Sequence, residues 1–343
     1  MSRFVRHRTL MIVGLLIALL AAPGSFFVRA SDPGSETLDT LIKNTVPVRD
    51  QFDLARRLLG IKVLSPTPTA AKTYEVGDQE SFSAVDNDQN RDFMLNAQLW
   101  YKTPHVYMWF QIGFRPDPDA VKQSAENFEN KIYPTVHEYF GSEQSPGVDN
   151  DVHLYILNAR GLGGGIAGYF DTRGQLPAAV VPGSNEHQMF FMNLDSIGNL
   201  IGTGYYDSVL AHEFQHMVQS NVDPHEQGWV DEGLAELSAA LCGYNDLKFI
   251  PLIMGQPETQ LNTWADSAAS AAHYGASYAF MAYFLQRFGE NGLKQLVADQ
   301  HNGLTGVRSA LKQMNVADPQ TGKLIALEDF FADWVMTNLI DDK

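Results

Sequence analysis

His212-Glu213-Phe214-Gln215-His216 decides how this chain folds, and it sits inside a run, residues 208–219, with the pattern of a helix. Leu210, Phe214 and Met217 recur there at i, i+4 and i+7, one face of an amphipathic helix. Residues four apart on a helix stack one above the other, about 40° out of line. His212 and His216 therefore offer two imidazoles to one tetrahedral metal ion, roughly opposite the apolar stripe. Glu213 lies one step round, where it can take a proton from a water on that metal. Three fixed positions in five also arise by chance, so a plain histidine pair competes until a third ligand is found.

The following segment offers two. Residues 229–236 read W-V-D-E-G-L-A-E, and Val230, Leu234, Leu237 and Leu241 keep the spacing i, i+4, i+7, i+11 of a second amphipathic helix. Glu232 and Glu236 share another face of it, again four apart. Two histidines and one glutamate, with the fourth position open, form a catalytic zinc donor set. The alternative H-E-x-x-H-x-x-G-x-x-H fails, because Gln219 and Val222 occupy its glycine and last histidine positions.

These motifs carry a family resemblance. Residues 229–236 resemble the W-L-N-E-G-F-A-E element of zinc aminopeptidases. Residues 212–219 (H-E-F-Q-H-M-V-Q) are similar to the hyicolysin family of secreted bacterial metallopeptidases. Both fall in the thermolysin-like (gluzincin) group. The resemblance implies that His212, His216 and Glu232 bind one catalytic zinc ion and that Glu213 is the general base. It implies that Glu236 is the outer carboxylate orienting a ligand histidine. The helix expected over residues 273–289 is similar to the Y-E-K-G…Y-L…G helix of zinc aminopeptidases, with Tyr283 and Gly289 in register and Ser277 replacing the glycine. Tyr274 then falls on the tyrosine that stabilises the oxyanion. Tyr274 also joins Tyr278, Met281 and Leu285 in an apolar stripe, so a core role stays open, with His273 and His225 as substitute donors. The absence of a G-x-M-x-N element favours an endopeptidase over an exopeptidase.

The rest of the chain sets the frame. It has 343 residues and a net charge of −16. Arg3, Arg6 and Arg8 precede a 13-residue apolar run, residues 10–22, shorter than the roughly 17–25 that span a bilayer. With small residues around Ala30, this predicts a signal peptide over 1–30, an uncleaved anchor being the alternative. Removing its four arginines leaves 20 basic residues against 40 acidic ones, a net −20. So acidic a chain repels nucleic acid and anionic membranes. The composition predicts a secreted or extracellular protein, held at the cell surface if the leader stays. Cys242, the one cysteine, permits no intramolecular disulfide and reads as a small buried residue; export without disulfides points to a bacterial source. Nothing in the composition speaks to oligomeric state.

In chain order, residues 31–75 form an N-terminal extension or pro-segment, with a short helix at 50–60 and a linker at 65–71. The peptidase-like region spans 76–343, β-rich over 76–205 and helical over 206–343. Residues 92–101 and 105–112 predict a hairpin. The acidic loop 86–92 lacks the glycine and terminal glutamate of a calcium loop and reads as a turn, leaving calcium unsupported. Residues 118–140 predict one amphipathic helix bent at Pro134. Residues 151–157 predict a strand with Val152, Leu154 and Ile156 alternating against His153 and Tyr155. Gly163, Gly165 and Gly168 match G-x-G-x-x-G, but no helix follows, so a dinucleotide site is rejected. By the resemblance, Gly165 to Phe170 is the sheet edge along the cleft, a plain loop being the alternative. Residues 188–195 predict a strand, Asp207 or Ser208 a helix cap, 249–257 a loop, and 327–338 a last helix.

The expected fold is α+β and zincin-like: a mixed sheet with the zinc helix in the first half, a mainly helical second half. The expected function is zinc-dependent hydrolysis of protein or peptide bonds. A zinc hydrolase of another substrate class, an aminopeptidase, and a surface binding module with a structural zinc remain the alternatives.

Overall fold

The computed structural model describes Thr37 and residues 50–61, 71–244, 249–264 and 270–339. The expected leader and most of the 31–75 segment, including nearly all of its linker, lie outside the described residues. The short helix expected at 50–60 is present as α1 (Gln51–Leu58).

The α+β expectation holds: a mixed six-stranded sheet comes first and a mainly helical half follows. Strands β1 (Gln79–Asp86), β2 (Arg91–Lys102), β3 (Val106–Gln111), β4 (Leu154–Ala159), β5 (Gly168–Phe170) and β6 (Met189–Asn193) lie in the order β1-β2-β3-β4-β6-β5. β1 to β3 form an antiparallel meander, with Phe82 opposite Leu95 and Leu99 opposite Trp109. β3, β4 and β6 are parallel, and β5 pairs antiparallel to β6 at the sheet edge. The turn after β1 is closed by its own acids. Asp86 accepts the amides of Asp88 and Gln89, and Asp88 accepts the Gly164 amide at 2.8 Å, tying this turn to the glycine loop before β5.

β4 corrects an expectation. It begins at Leu154 rather than Asp151, all six residues are buried, and Val152 is exposed. A central parallel strand is covered on both faces, so it is apolar throughout instead of alternating. One face, with Val106, Met108, Ile156 and Phe190, joins the helical core. The other, with Tyr107, Trp109, Tyr155 and Phe191, joins an aromatic cluster. His187 stacks on Tyr155 at 3.9 Å there, and Asn185 bonds the Ser83 backbone in both directions, so the segment before β6 covers that face.

The crossover from β3 to β4 is helical but not one helix. α2 (Pro118–Asn127) and α3 (Tyr133–Phe140) are joined by a π-type turn, Phe128–Ile132. Pro134 explains it. Its missing N–H and its ring cannot complete an ordinary turn, so the backbone widens and the Tyr133 N–H reaches Phe128 O.

The second half holds α4 (Gly204–Val222), α5 (Gly228–Leu241), α6 (Ile250–Gly255), α7 (Ala271–Val297), α8 (Gly303–Met314) and α9 (Leu327–Leu339). Three expectations change here. The cap of α4 is Thr203, which accepts the Tyr206 amide, while Asp207 is buried and accepts from Ser124 and Asn127. The expected loop over 249–257 contains α6, whose first turn accommodates Pro251 because that position needs no N–H. Gly289 ends the first part of α7 at φ +70°, ψ −176°, a conformation only glycine adopts readily, but a further helical stretch follows to Val297. Cys242 is buried, and burial pushes its thiol up to about 12. Among the described residues no helix is long and apolar enough to cross a membrane.

Candidate metal centre

The centre lies where α4 and α5 meet beside the sheet edge. Leu210, Phe214 and Met217 are fully buried, which fixes α4 on the core and turns His212 and His216 the other way. Val230, Leu234 and Leu237 do the same for α5. The two helices are tied by the Ser238 hydroxyl, which donates to Ala211 O at 3.0 Å in the interior. Gly233, next to Glu232, lets α7 come close: a Cβ there would meet Ser277 O at 2.8 Å. Ser277 is one turn after Tyr274, so the same close crossing delivers Tyr274 to the centre.

The three expected ligands converge. The Nε2 atoms of His212 and His216 are 3.0 Å apart, and Glu232 Oε2 lies 3.2 Å from the first and 3.5 Å from the second. Ligands held about 2.0–2.1 Å from a tetrahedral ion stand about 3.3 Å from one another, so these edges fit a first-row divalent ion. Glu232 Oε2 is buried and lacks a hydrogen-bond partner of good geometry. An orphaned carboxylate oxygen facing two imidazole nitrogens is costly unless a cation takes the shared point. Among the described residues this is the group of three that could hold a metal ion.

Each imidazole is also held from behind. Glu236 lies 3.2 Å from His212 Nδ1, and Asp231 lies 3.0 Å from His216 Nδ1. Sequence reasoning singled out Glu236 and missed Asp231. Asp231 sits one residue before Glu232, about 100° round the helix, so its face gave no hint; the only available signal was a carboxylate in the first turn of α5.

The electrostatics follow from burial and these carboxylates. Burial alone would lower the His212 pKa, but the facing carboxylates of Glu232 and Glu236 raise it to about 10. His216 is also held well above its ordinary value, against burial, by Asp231 and Glu232. Burial would raise Glu232, yet the two histidines hold it far below the usual carboxylate range. The site is thus a field that favours positive charge. Glu213 is different: it is 5% exposed, and burial raises its pKa although the neighbouring histidines oppose this.

Tyr274 is half-buried, its ring 6.3 Å from that of His212 and stacked on Phe249 at 4.9 Å. Burial, then the charges of Glu232, Glu213 and Glu236, push its hydroxyl far up, so it stays a proton donor at neutral pH. His273 is buried and its ring lies 5.7 Å from Trp264, while His225 is exposed. Neither substitute borders the two cavities that open from the centre.

Those cavities flank the ligands. One, of about 400 Å³, runs past Gly165 to Gly168, Val209, Ala239 and Tyr278. The other, of about 490 Å³, runs past Tyr169 to Thr172, Gln219 and Asp223. His212, Glu213 and Tyr274 border both. The edge strand β5 and the glycines before it therefore line the cleft. Gly168 shows why a glycine stands there: a Cβ would lie 2.8 Å from Phe191 O and 3.0 Å from Glu213 Oε1.

A mixed sheet followed by helices, with an H-E-x-x-H helix and a glutamate helix meeting beside an edge strand, defines the zincin-like class of fold and site. The chain is 26% identical over 287 residues to the neutral metalloprotease ShpI of Staphylococcus hyicus, a match covering 76% of this chain. It spans 64% of that relative's length. This distant similarity supports the thermolysin-like family read from the motifs. No protein-family model matches the chain.

Proposed function

We propose that this chain is a secreted zinc-dependent endopeptidase acting on proteins or peptides. The observation that carries the reading is the convergence of His212, His216 and Glu232 around an orphaned carboxylate oxygen, with Glu213 buried beside them between two cavities. His212, His216 and Glu232 would hold the ion, and two nitrogens with one oxygen suit zinc with one position left open. When bound, zinc supplies a Lewis acid that polarises the scissile carbonyl and makes a water at the site more acidic.

The chain's own groups do the rest. Glu213 accepts the proton of the attacking water and passes it to the leaving amine, and its raised pKa suits both steps. The Tyr274 hydroxyl donates to the developing oxyanion. Glu236 and Asp231 fix the imidazole rings with Nε2 toward the centre. β5 ends the sheet order, and an extended substrate laid along it would bond backbone to backbone, which tolerates many side chains. Cavities on both sides of the centre leave room for chain in both directions, which favours internal cleavage. The leader-like 1–30 segment supports export.

The test is cleavage of denatured casein by the purified, metal-loaded protein. Fragments should appear, stop when a chelator strips the metal, and return with added zinc. Cleavage unaffected by chelation would overturn the reading.

A further inference from the structure

The two arms of the cleft differ in charge. The arm beside His212 is bordered by small and apolar side chains such as Val209, Ala239 and Tyr278, and its one carboxylate besides Glu213 is Glu236, already engaged with His212. The arm beside His216 is bordered by Asp171, Asp223, Glu226 and Asp231, with no lysine or arginine among the described residues that border it. Two of these acids are matched. Asp171 pairs with Arg173 at 2.6 Å, and Asp231 backs His216.

Asp223 and Glu226 are not. Asp223 borders the cavity and is 4% exposed; its Oδ1 accepts the His225 amide at 3.3 Å, and its Oδ2 is buried with no hydrogen-bond partner. A buried carboxylate oxygen left unpaired costs free energy that a cationic guest removes. Glu226 accepts the Gly303 amide at 2.7 Å, and burial, then the charges of Asp223 and Asp231, push its carboxyl up to about 7. Among the described residues these two do not gather with a third ligand as the central triad does, so no second group there has the geometry of a metal site.

We infer that the arm beside His216 is a recognition pocket for a lysine or arginine side chain of the substrate, anchored by Asp223 with Glu226 beside it. This rests on the peptidase reading and gives it a substrate preference: peptides with a basic residue on one fixed side of the scissile bond. An ammonium or guanidinium there would pair with the Asp223 carboxylate, while the apolar arm takes the residue across the bond. The net charge of −16 attracts such peptides, and that attraction weakens with salt.

The experiment uses the full, zinc-loaded chain and a peptide set carrying lysine, norleucine or glutamate at each position around the cleavage site. At one position kcat/KM for lysine should exceed that for norleucine by at least about tenfold, and glutamate should be poorest. In Asp223→Asn, and more so in Asp223→Asn with Glu226→Gln, the lysine-to-norleucine ratio should collapse toward one, with thermal melts reporting that both variants fold. Cleavage without any basic preference overturns the pocket and leaves the peptidase reading intact. A preference that survives both variants also overturns it. If no peptide is cut, the peptidase reading has failed, and calorimetry on zinc-loaded Glu213→Gln then judges the pocket by itself: tighter binding of the lysine peptides upholds it, equal binding sinks it.

Discussion

Asp231 lies 3.0 Å from Nδ1 of His216, and Glu236 stands in the same relation to His212 at 3.2 Å. Each ring nitrogen facing away from the centre thus has its own carboxylate. That fixes the tautomer with Nδ1 protonated, points Nε2 inward and makes both imidazoles better ligands.

Asp231→Ala should therefore weaken zinc binding by about 10- to 100-fold without unfolding the protein. Competition with a chromophoric chelator measures it. An affinity within about twofold of the parent would mean that Asp231 does not orient His216.

Gly168 is held against the site by space, not by backbone conformation. Gly168→Ala would push a methyl group against Phe191 O and the Glu213 carboxylate. Because the backbone oxygen cannot move freely, β5 must shift, at about 1–3 kcal/mol by analogy with overpacked cores. Activity should fall further than stability does, since Glu213 and the strand along the substrate are displaced together. Equal melting temperature and equal turnover in parent and variant would contradict the close approach.

Glu143 predicts a pH effect away from the centre. It is buried and bonded to His137 and to the Tyr133 hydroxyl. Burial alone would raise its pKa, but the His137 bond and charge outweigh that and hold it below the ordinary 4.5. A carboxyl with a depressed folded pKa stabilises the fold fully above its unfolded pKa, and that contribution is lost as pH falls through the folded value. Glu143→Gln should lower stability by on the order of 1–3 kcal/mol at pH 7. The gap between parent and variant in urea melts should narrow below pH 4.5. A gap that stays constant down to pH 3 would show that the charge on Glu143 contributes nothing.

The helices were legible in the sequence because their stripes are long. Leu210, Phe214 and Met217, and Val230, Leu234 and Leu237, are buried as their spacing predicts. The pairing of His212 and His216 was legible from motif spacing, since four residues make about one turn, whereas Glu232 as their partner came from the family resemblance. What the sequence hid depends on tertiary context. β4 is apolar on both faces because another layer covers each, which cannot be told from a one-sided strand by looking at 151–157 alone. The bend at Pro134 was legible, but its resolution as a π-type turn was not. Phe249 to Pro257 read as a loop because its apolar run is short, and α6 packs under the end of α7 only once Gly275 admits it, where a Cβ would meet Phe249 O at 2.4 Å. Asp231 was invisible for the same reason: it meets His216 across a gap that only the folded chain creates.

The decisive measurement pairs Glu213→Gln with the parent protein, both loaded with metal and both assayed for zinc content and for peptide cleavage. The amide keeps the size of the carboxylate and is not among the three converging donors, so the variant should hold one zinc ion as the parent does. Its kcat should fall by at least about 10²-fold, the scale of a lost general base. A variant that binds zinc and still cleaves at the parental rate would contradict the role of Glu213 and, with it, the hydrolytic reading of the centre.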